Sequence, residues 1–117
     1  MTSEITIFHN PRCSKSRATL ELLRAQGYQP HIVDYLKNPP SESELTAMLK
    51  LLGMEPRELM RRKEEEYNRA NLDDPGLTRE DLIKALHEHP RLIERPIVLA
   101  NGKAALGRPP ESVLEIL

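Results

Sequence analysis

One stretch of the sequence decides how this chain folds: Glu4-Ile5-Thr6-Ile7-Phe8-His9-Asn10-Pro11-Arg12-Cys13-Ser14. Residues 4–8 alternate polar and apolar side chains, which predicts a β-strand. The next four residues contain a turn-prone Asn-Pro pair and are predicted to form a loop. From Ser14 to Gln26 the apolar residues recur at helical spacing, and Gly27 is suited to end a helix. Cys13 is therefore predicted to lie where a strand passes into a helix.

A second strand is predicted after that helix, at His31-Ile32-Val33-Asp34-Tyr35. Strand, helix and strand joined by short connections form a βαβ unit, in which the two strands run parallel. Helical patterns fill the next part of the chain. The elements predicted there are a helix at 41–53 that begins with a capping box, a short helix at about 56–62, a polar connection at 63–76 and a helix at about 78–90. We therefore predict a helical insert at about residues 41–90.

The C-terminal part of the sequence predicts a β-hairpin followed by a helix. Asn101-Gly102 is a strong signal for a tight hairpin turn, with strands at 97–100 and 103–106 on either side. A last helix is predicted to start at Pro109-Pro110. Two parallel strands and an antiparallel hairpin make a four-stranded mixed sheet with helices over it. The predicted fold is thus α/β and thioredoxin-like, in a single domain of residues 1–117 that carries the helical insert.

Composition limits the classes of function that this chain can have. Its 117 residues are 38% hydrophobic and 30% charged, which is typical of one globular domain. The net charge of −1 argues against a general nucleic-acid-binding protein. A single cysteine excludes an intramolecular disulfide and any zinc site with two thiolates. With one free thiol, no membrane-spanning apolar run and no signal-peptide pattern, we expect a cytoplasmic protein that binds neither membrane nor nucleic acid. We expect a monomer, because no long apolar stripe is left over once the predicted core is assigned.

Cys13 carries the most chemical information in the sequence. The unpaired N–H groups and the positive dipole end at a helix N-terminus favour a thiolate. Ser16 can donate a hydroxyl hydrogen bond to the sulfur, and Lys15, Arg17 and His9 add positive or potentially positive charge. The alternative is a small buried core cysteine. Because the second cysteine of a Cys-x-x-Cys pair is absent, any redox cycle needs an external thiol.

Three arginines are candidates for an anion-binding site. Arg61 stands near the end of the predicted short helix, and Arg95 and Arg108 each precede a proline. The planar fork of donors on arginine suits tetrahedral oxyanions, although each could equally be a solvated surface residue. The charge run at 61–66 is interpreted as a solvated face whose charges pair with one another. Arg95-Pro96 is also a candidate cis peptide, because this topology places a cis-proline before the strand.

The sequence resembles the glutaredoxin-coupled arsenate reductase family. The resemblance covers essentially the whole chain and is carried by four segments, which are Ile5-Thr6-Ile7-Phe8-His9-Asn10-Pro11-Arg12-Cys13-Ser14-Lys15-Ser16-Arg17, Tyr35-Leu36-Lys37-Asn38-Pro39-Pro40, Leu92-Ile93-Glu94-Arg95-Pro96-Ile97-Val98 and Gly107-Arg108-Pro109. It implies a thioredoxin-like fold with an extra helical region. It also implies reduction of arsenate to arsenite with glutathione as co-substrate and glutaredoxin as electron-donating partner, without a metal or a bound cofactor.

The resemblance also implies a role for six residues. The catalytic cysteine of the family falls on Cys13. The three arginines that bind the oxyanion fall on Arg61, Arg95 and Arg108. The family histidine near the thiol falls on His9, and the serine that supports the thiolate falls on Ser16.

Two other functions stay open from the sequence. A related, Spx-like branch of the fold contains regulators that bind RNA polymerase and control transcription through a Cys-x-x-Cys switch. Ser16 in place of the second cysteine removes that switch here. A thiol oxidoreductase acting on glutathionylated proteins would need Cys13 but not all three arginines. An assay of NADPH consumption coupled through glutaredoxin, with and without arsenate, separates these functions.

Overall fold

The computed structural model describes residues 4–117 of the chain, which contains two compact units. The first unit ends at Asn38 and continues from Arg95 to Leu117, and the second is Pro39–Glu94. The predicted helical insert, about 41–90, falls within the second unit, while the single domain of residues 1–117 stays a prediction. None of the helices described has the length and apolar character that crossing a membrane requires.

Four strands and four α-helices make up the regular structure of the described residues. In chain order they are β1 (Ile5–His9), α1 (Ser14–Ala25), β2 (His31–Asp34), α2 (Glu42–Leu52), α3 (Glu65–Arg69), α4 (Arg79–Glu88), β3 (Ile97–Ala100) and β4 (Lys103–Leu106). Short 3₁₀ helices are found at Pro56–Leu59, Pro90–Leu92 and Pro110–Ile116.

The strands of the first unit form the predicted four-stranded mixed sheet, in the order β2-β1-β3-β4. β1 runs parallel to β2 and antiparallel to β3, and β3 and β4 form the antiparallel hairpin. Phe8 pairs with Ile97, and Ile97 pairs with Leu106. The C-terminal end of β1, the first residue of β3 and the last of β4 therefore lie at the same end of the sheet. We call this the thiol end, because the loop from β1 to Cys13 leaves the sheet there.

One hydrophobic core holds α1 and the C-terminal 3₁₀ helix against the sheet. Its buried residues come from β1, α1, β3 and the C-terminal segment, and they are Ile5, Ile7, Leu20, Leu23, Val98, Ala100, Val113 and Ile116. The last helix, predicted to start at Pro109-Pro110, is present as the 3₁₀ helix that carries the last two of these residues. Burying each large apolar side chain stabilises the fold by about 1.5–3 kcal/mol.

The second unit confirms the predicted helix starts and corrects two elements. Ser41 and Thr78 each form a capping box at the start of α2 and α4. The short helix predicted to reach Arg62 ends at Leu59, because Met60 pairs with Ile93 in an antiparallel bridge. The polar connection at 63–76, for which no helix was predicted, contains α3. Its Tyr67 is only 3% exposed, and this buried ring ties the otherwise polar helix to the unit.

Gly107 is packed too tightly to carry a side chain. A Cβ built there would lie 2.6 Å from the Pro96 ring and in contact with the Thr19 side chain. Forcing a methyl group into a packed site costs about 1–3 kcal/mol. We expect Gly107→Ala to lower the free energy of unfolding by that amount in urea denaturation. In the control variant Gly76→Ala, the Cβ meets the movable carboxylate of Asp74 at 3.2 Å, and an equal loss in both variants would contradict the steric explanation.

Candidate active site

Cys13 is the N-cap residue of α1, at the point where the sequence places it. Its backbone is extended, its carbonyl accepts the first helical hydrogen bond from Arg17 at 3.0 Å, and its side chain makes no capping hydrogen bond. The first turn of α1 contains no acidic residue. The side chain is partly exposed, which is not the environment of a core cysteine. Cys13 therefore lies at the positive end of a twelve-residue helix, in a partly exposed position.

Asn10 organises the loop that carries the sulfur. Its carbonyl accepts from the Cys13 N–H, its side-chain Oδ1 accepts from the Arg12 N–H, and its own N–H donates to Ser16 Oγ, each over 3.0 Å. Asn10 is also buried, with 8% of its surface exposed. The sequence marked this residue only as part of a turn-prone pair. Together, these three hydrogen bonds fix the path of the backbone from β1 to α1.

His9 and Ser16 are in direct contact, with 2.6 Å between His9 Nδ1 and Ser16 Oγ. Burial lowers the pKa of His9 below its usual 6.5, although the carboxylate of Asp34, its partner in the β1–β2 register, opposes this. His9 is therefore neutral at neutral pH and does not add the positive charge that the sequence allowed. The Ser16 hydroxyl, expected to donate to sulfur, is bonded instead to His9 and to the Asn10 N–H.

The buried His9 makes stability depend on pH. Its pKa is lower in the folded chain than in the unfolded chain, so below pH 6.5 the unfolded chain gains a proton that the folded chain does not. The free energy of unfolding should therefore fall as the pH drops from 7.5 through 6.5 toward the folded pKa. Urea denaturation at several pH values should show a smaller drop for His9→Asn, whose side-chain oxygen can still accept from Ser16. An equal drop in both proteins would contradict this assignment.

Arg95 and Arg108 lie together at the thiol end of the sheet. Arg95 precedes β3, Arg108 follows β4, and Arg108 Nε donates to the Arg95 carbonyl over 2.8 Å. Both are followed by cis peptide bonds, Arg95-Pro96 and Arg108-Pro109, which confirms the prediction for the first. The Nε of Arg95 is buried and has no hydrogen-bond partner among residues 4–117. A buried charged donor of this kind favours an anionic ligand that can accept a hydrogen bond from it.

Arg61 belongs to the second unit, where two carboxylates contact its guanidinium. Its Nη1 lies 3.0 Å from Glu64 Oε1, and its Nε lies 3.6 Å from Glu94 Oε1. Arg91 contacts Glu64 at 3.5 Å and Glu66 at 3.6 Å. The interpretation of the charge run at 61–66 is borne out in part. Arg61 and Glu64 pair within the run, but Glu64 and Glu66 also pair with Arg91 outside it. Arg62, Lys63 and Glu65 are exposed, whereas the Glu64 and Glu66 side chains are only 21% and 18% exposed. No sequence pattern predicted the pairing of Arg61 with Glu94, which lies 33 positions further along the chain.

A comparison of the sequence with models of known protein families shows which family has this fold and this thiol loop. The sequence model of the ArsC family matches residues 8–116, which is nearly the whole chain. The chain belongs to the ArsC family. The thioredoxin-like α/β fold and the family resemblance predicted from sequence are therefore confirmed.

Several relatives match this chain over nearly its whole length. YfgD of Escherichia coli K12 is 55% identical over 100% of this chain and 99% of that protein, and its name states no activity. The arsenate reductase of Neisseria meningitidis serogroup A is 51% identical, over 97% of this chain and 98% of its own. The solved structure of an arsenate reductase from Vibrio cholerae superimposes with a TM-score of 0.97 at 52% identity and covers 100% of both chains.

In this ArsC-family chain, the first unit holds five of the six residues singled out from sequence. Four of them are held by the strand ends and the start of α1, and they are His9, Cys13, Arg95 and Arg108. Ser16, in the first turn of α1, contacts His9. The sixth, Arg61, is in the second unit. Within residues 4–117 no group of three His, Cys, Asp or Glu side chains is arranged to hold a metal ion.

Proposed function

We propose that this chain is an arsenate reductase that converts arsenate to arsenite with Cys13 as the nucleophile. Two kinds of support converge. Relatives of similar length that are about 50% identical in sequence are named arsenate reductases. The single observation that carries the proposal is the buried, unpartnered Nε of Arg95 at the same end of the sheet as the thiol loop. An oxyanion that accepts from this donor would satisfy it at the end of the sheet where the Cys13 loop lies.

In the first step of the proposed reaction, arsenate binds through Arg95 and Arg108. We keep Arg61 as a third donor to arsenate because the family resemblance assigns it that role. The Cys13 thiolate attacks arsenic, an As–S bond forms, and one arsenate oxygen takes up protons and leaves as water. Arsenic remains in the +5 state, and the arginines neutralise the negative charge that would otherwise repel the thiolate.

Electrons then come from two external thiols, because one cysteine cannot form a disulfide within the chain. Glutathione replaces a second oxygen, which leaves as water, and forms a second As–S bond. A glutaredoxin thiolate attacks the glutathione sulfur, and a glutaredoxin–glutathione disulfide forms. The electron pair of the broken bond stays on arsenic, which is reduced from +5 to +3. Water then displaces the Cys13 sulfur, so arsenite leaves and the thiolate is restored. The use of glutathione implies a reducing, cytoplasmic setting, and we expect the chain to act as a monomer.

A coupled assay tests the proposal. Purified protein is mixed with glutathione, glutathione reductase, glutaredoxin and NADPH, and NADPH oxidation is followed with and without arsenate. We expect oxidation that depends on arsenate, with one NADPH consumed for each arsenite formed. No arsenate-dependent oxidation at millimolar arsenate would overturn the proposal. Reduction of a glutathionylated protein without any effect of arsenate would instead identify a thiol oxidoreductase.

A further inference from the structure

The Ser16 hydroxyl is buried in a position where its hydrogen has one available acceptor. Ser16 has no exposed surface, and its oxygen can donate one hydrogen and accept two. The Asn10 N–H donates to it over 3.0 Å, which fixes one acceptor direction. Within the described part of the chain, its only other polar partner is His9 Nδ1 at 2.6 Å. If His9 donated from Nδ1 instead, the hydroxyl hydrogen would be buried without an acceptor, which costs free energy.

The surroundings of His9 agree with a ring that accepts at Nδ1. Burial is the main cause that lowers the pKa of His9, and the cations Arg17 and Arg24 on α1 act in the same direction. Asp34 on β2 is the opposing charge. Arg17 is also fixed close to the loop, since its Nη1 donates to the Pro11 carbonyl over 2.9 Å. A neutral ring carries one proton, so an accepting Nδ1 requires that the proton be on Nε2.

We infer that Ser16 holds His9 in the tautomer protonated at Nε2, and that Ser16 is a positioning residue that acts through His9 and not directly on the Cys13 sulfur. The Asn10 N–H sets the direction of the hydroxyl, so the chain Asn10–Ser16–His9 works as one unit. Its consequence for turnover rests on the proposed function: the ring then offers a fixed, uncharged Nε2–H donor to the bound oxyanion. The tautomer itself does not depend on that function.

The first test uses the wild-type protein. Two-bond ¹H–¹⁵N correlation spectra of ¹⁵N-labelled protein at pH 8 distinguish a protonated from an unprotonated ring nitrogen. We expect His9 to show a protonated Nε2 and an unprotonated Nδ1. A proton on Nδ1, or an even mixture of the two tautomers, would overturn the inference.

The second test is the direction in which Ser16→Ala moves the titration of His9, followed by the same spectra from pH 4 to 8. A hydroxyl that donates to Nδ1 stabilises the neutral ring, so its removal should raise the titration midpoint by about 0.5–1 unit. If His9 were the donor, removal would lower the midpoint, and that result would contradict the inference. Thr19→Val is the matched control, since it removes a hydroxyl of the same helix that donates to the Lys15 carbonyl over 2.8 Å. It should leave the midpoint unchanged.

Turnover gives a separate readout for the positioning role. Ser16→Ala should lower kcat for arsenate about tenfold with little change in KM, and it should shift the acid limb of the pH–rate profile upward together with the His9 midpoint. Thr19→Val should leave both unchanged, and an acid limb that stays in place in Ser16→Ala would overturn the role. Absence of arsenate turnover in the wild-type protein, with the tautomer as expected, would refute the proposed function and leave the tautomer assignment intact.

Discussion

Replacing Cys13 by serine should abolish arsenate-dependent NADPH oxidation, with a fall in kcat of about 10³-fold or more. A serine hydroxyl is not ionised near neutral pH, and its oxygen forms no As–S bond that an external thiol could later exchange. The volume change is small and the side chain makes no capping hydrogen bond, so the free energy of unfolding should change little. The coupled assay measures the loss, and urea denaturation confirms that the variant is folded.

A neighbouring serine provides the control for this prediction. Ser14 is exposed in the same first turn of α1, and Ser14→Ala should keep kcat within about twofold. Mass spectrometry after incubation with arsenate and glutathione should detect an arsenic adduct on the wild-type chain and none on Cys13→Ser. Retention of arsenate turnover in Cys13→Ser would show that the sulfur is not the nucleophile.

The parts of the fold that could be predicted are those set by local patterns. The alternation of β1, the capping boxes at Ser41 and Thr78 and the Asn101-Gly102 turn each depend on residues within a few positions of one another. The short helix α3 could not be predicted in this way. Its only strong apolar anchor is the buried Tyr67, so its stability comes from packing with distant parts of its unit and not from a repeating pattern.

The same distinction separates the predicted from the unpredicted parts of the site. Cys13 was identified because its chemistry follows from a strand–helix junction, which the sequence shows directly. The contact between His9 and Ser16 spans seven positions and depends on how the buried loop is folded, so spacing alone suggested a bond from Ser16 to sulfur instead. Asn10 was missed for the same reason, because its bonds to the loop backbone become visible only when the loop has a conformation.

Replacing Arg95 by alanine should raise KM for arsenate about 10- to 100-fold, with a smaller effect on kcat. The Nε of Arg95 is a buried charged donor without a partner in the described chain, so a bound oxyanion gains a charge-assisted hydrogen bond worth about 1.5–3 kcal/mol. The variant keeps the backbone carbonyl that accepts from Arg108 Nε, so the position of Arg108 should be preserved. Steady-state kinetics across arsenate concentrations measure the change.

Substitutions of other arginines test whether the rise in KM is specific to Arg95. Arg69 is 76% exposed and pairs only with Glu65 among the ion pairs of the described residues, so Arg69→Ala should leave KM within about twofold. Arg95→Lys keeps the charge but loses the planar fork, and it should recover only part of the affinity. Arg61→Ala should raise KM less than Arg95→Ala, because Glu64 and Glu94 already neutralise part of its charge. If Arg95→Ala changed KM no more than Arg69→Ala does, Arg95 would not bind the substrate, and the buried Nε would need another explanation.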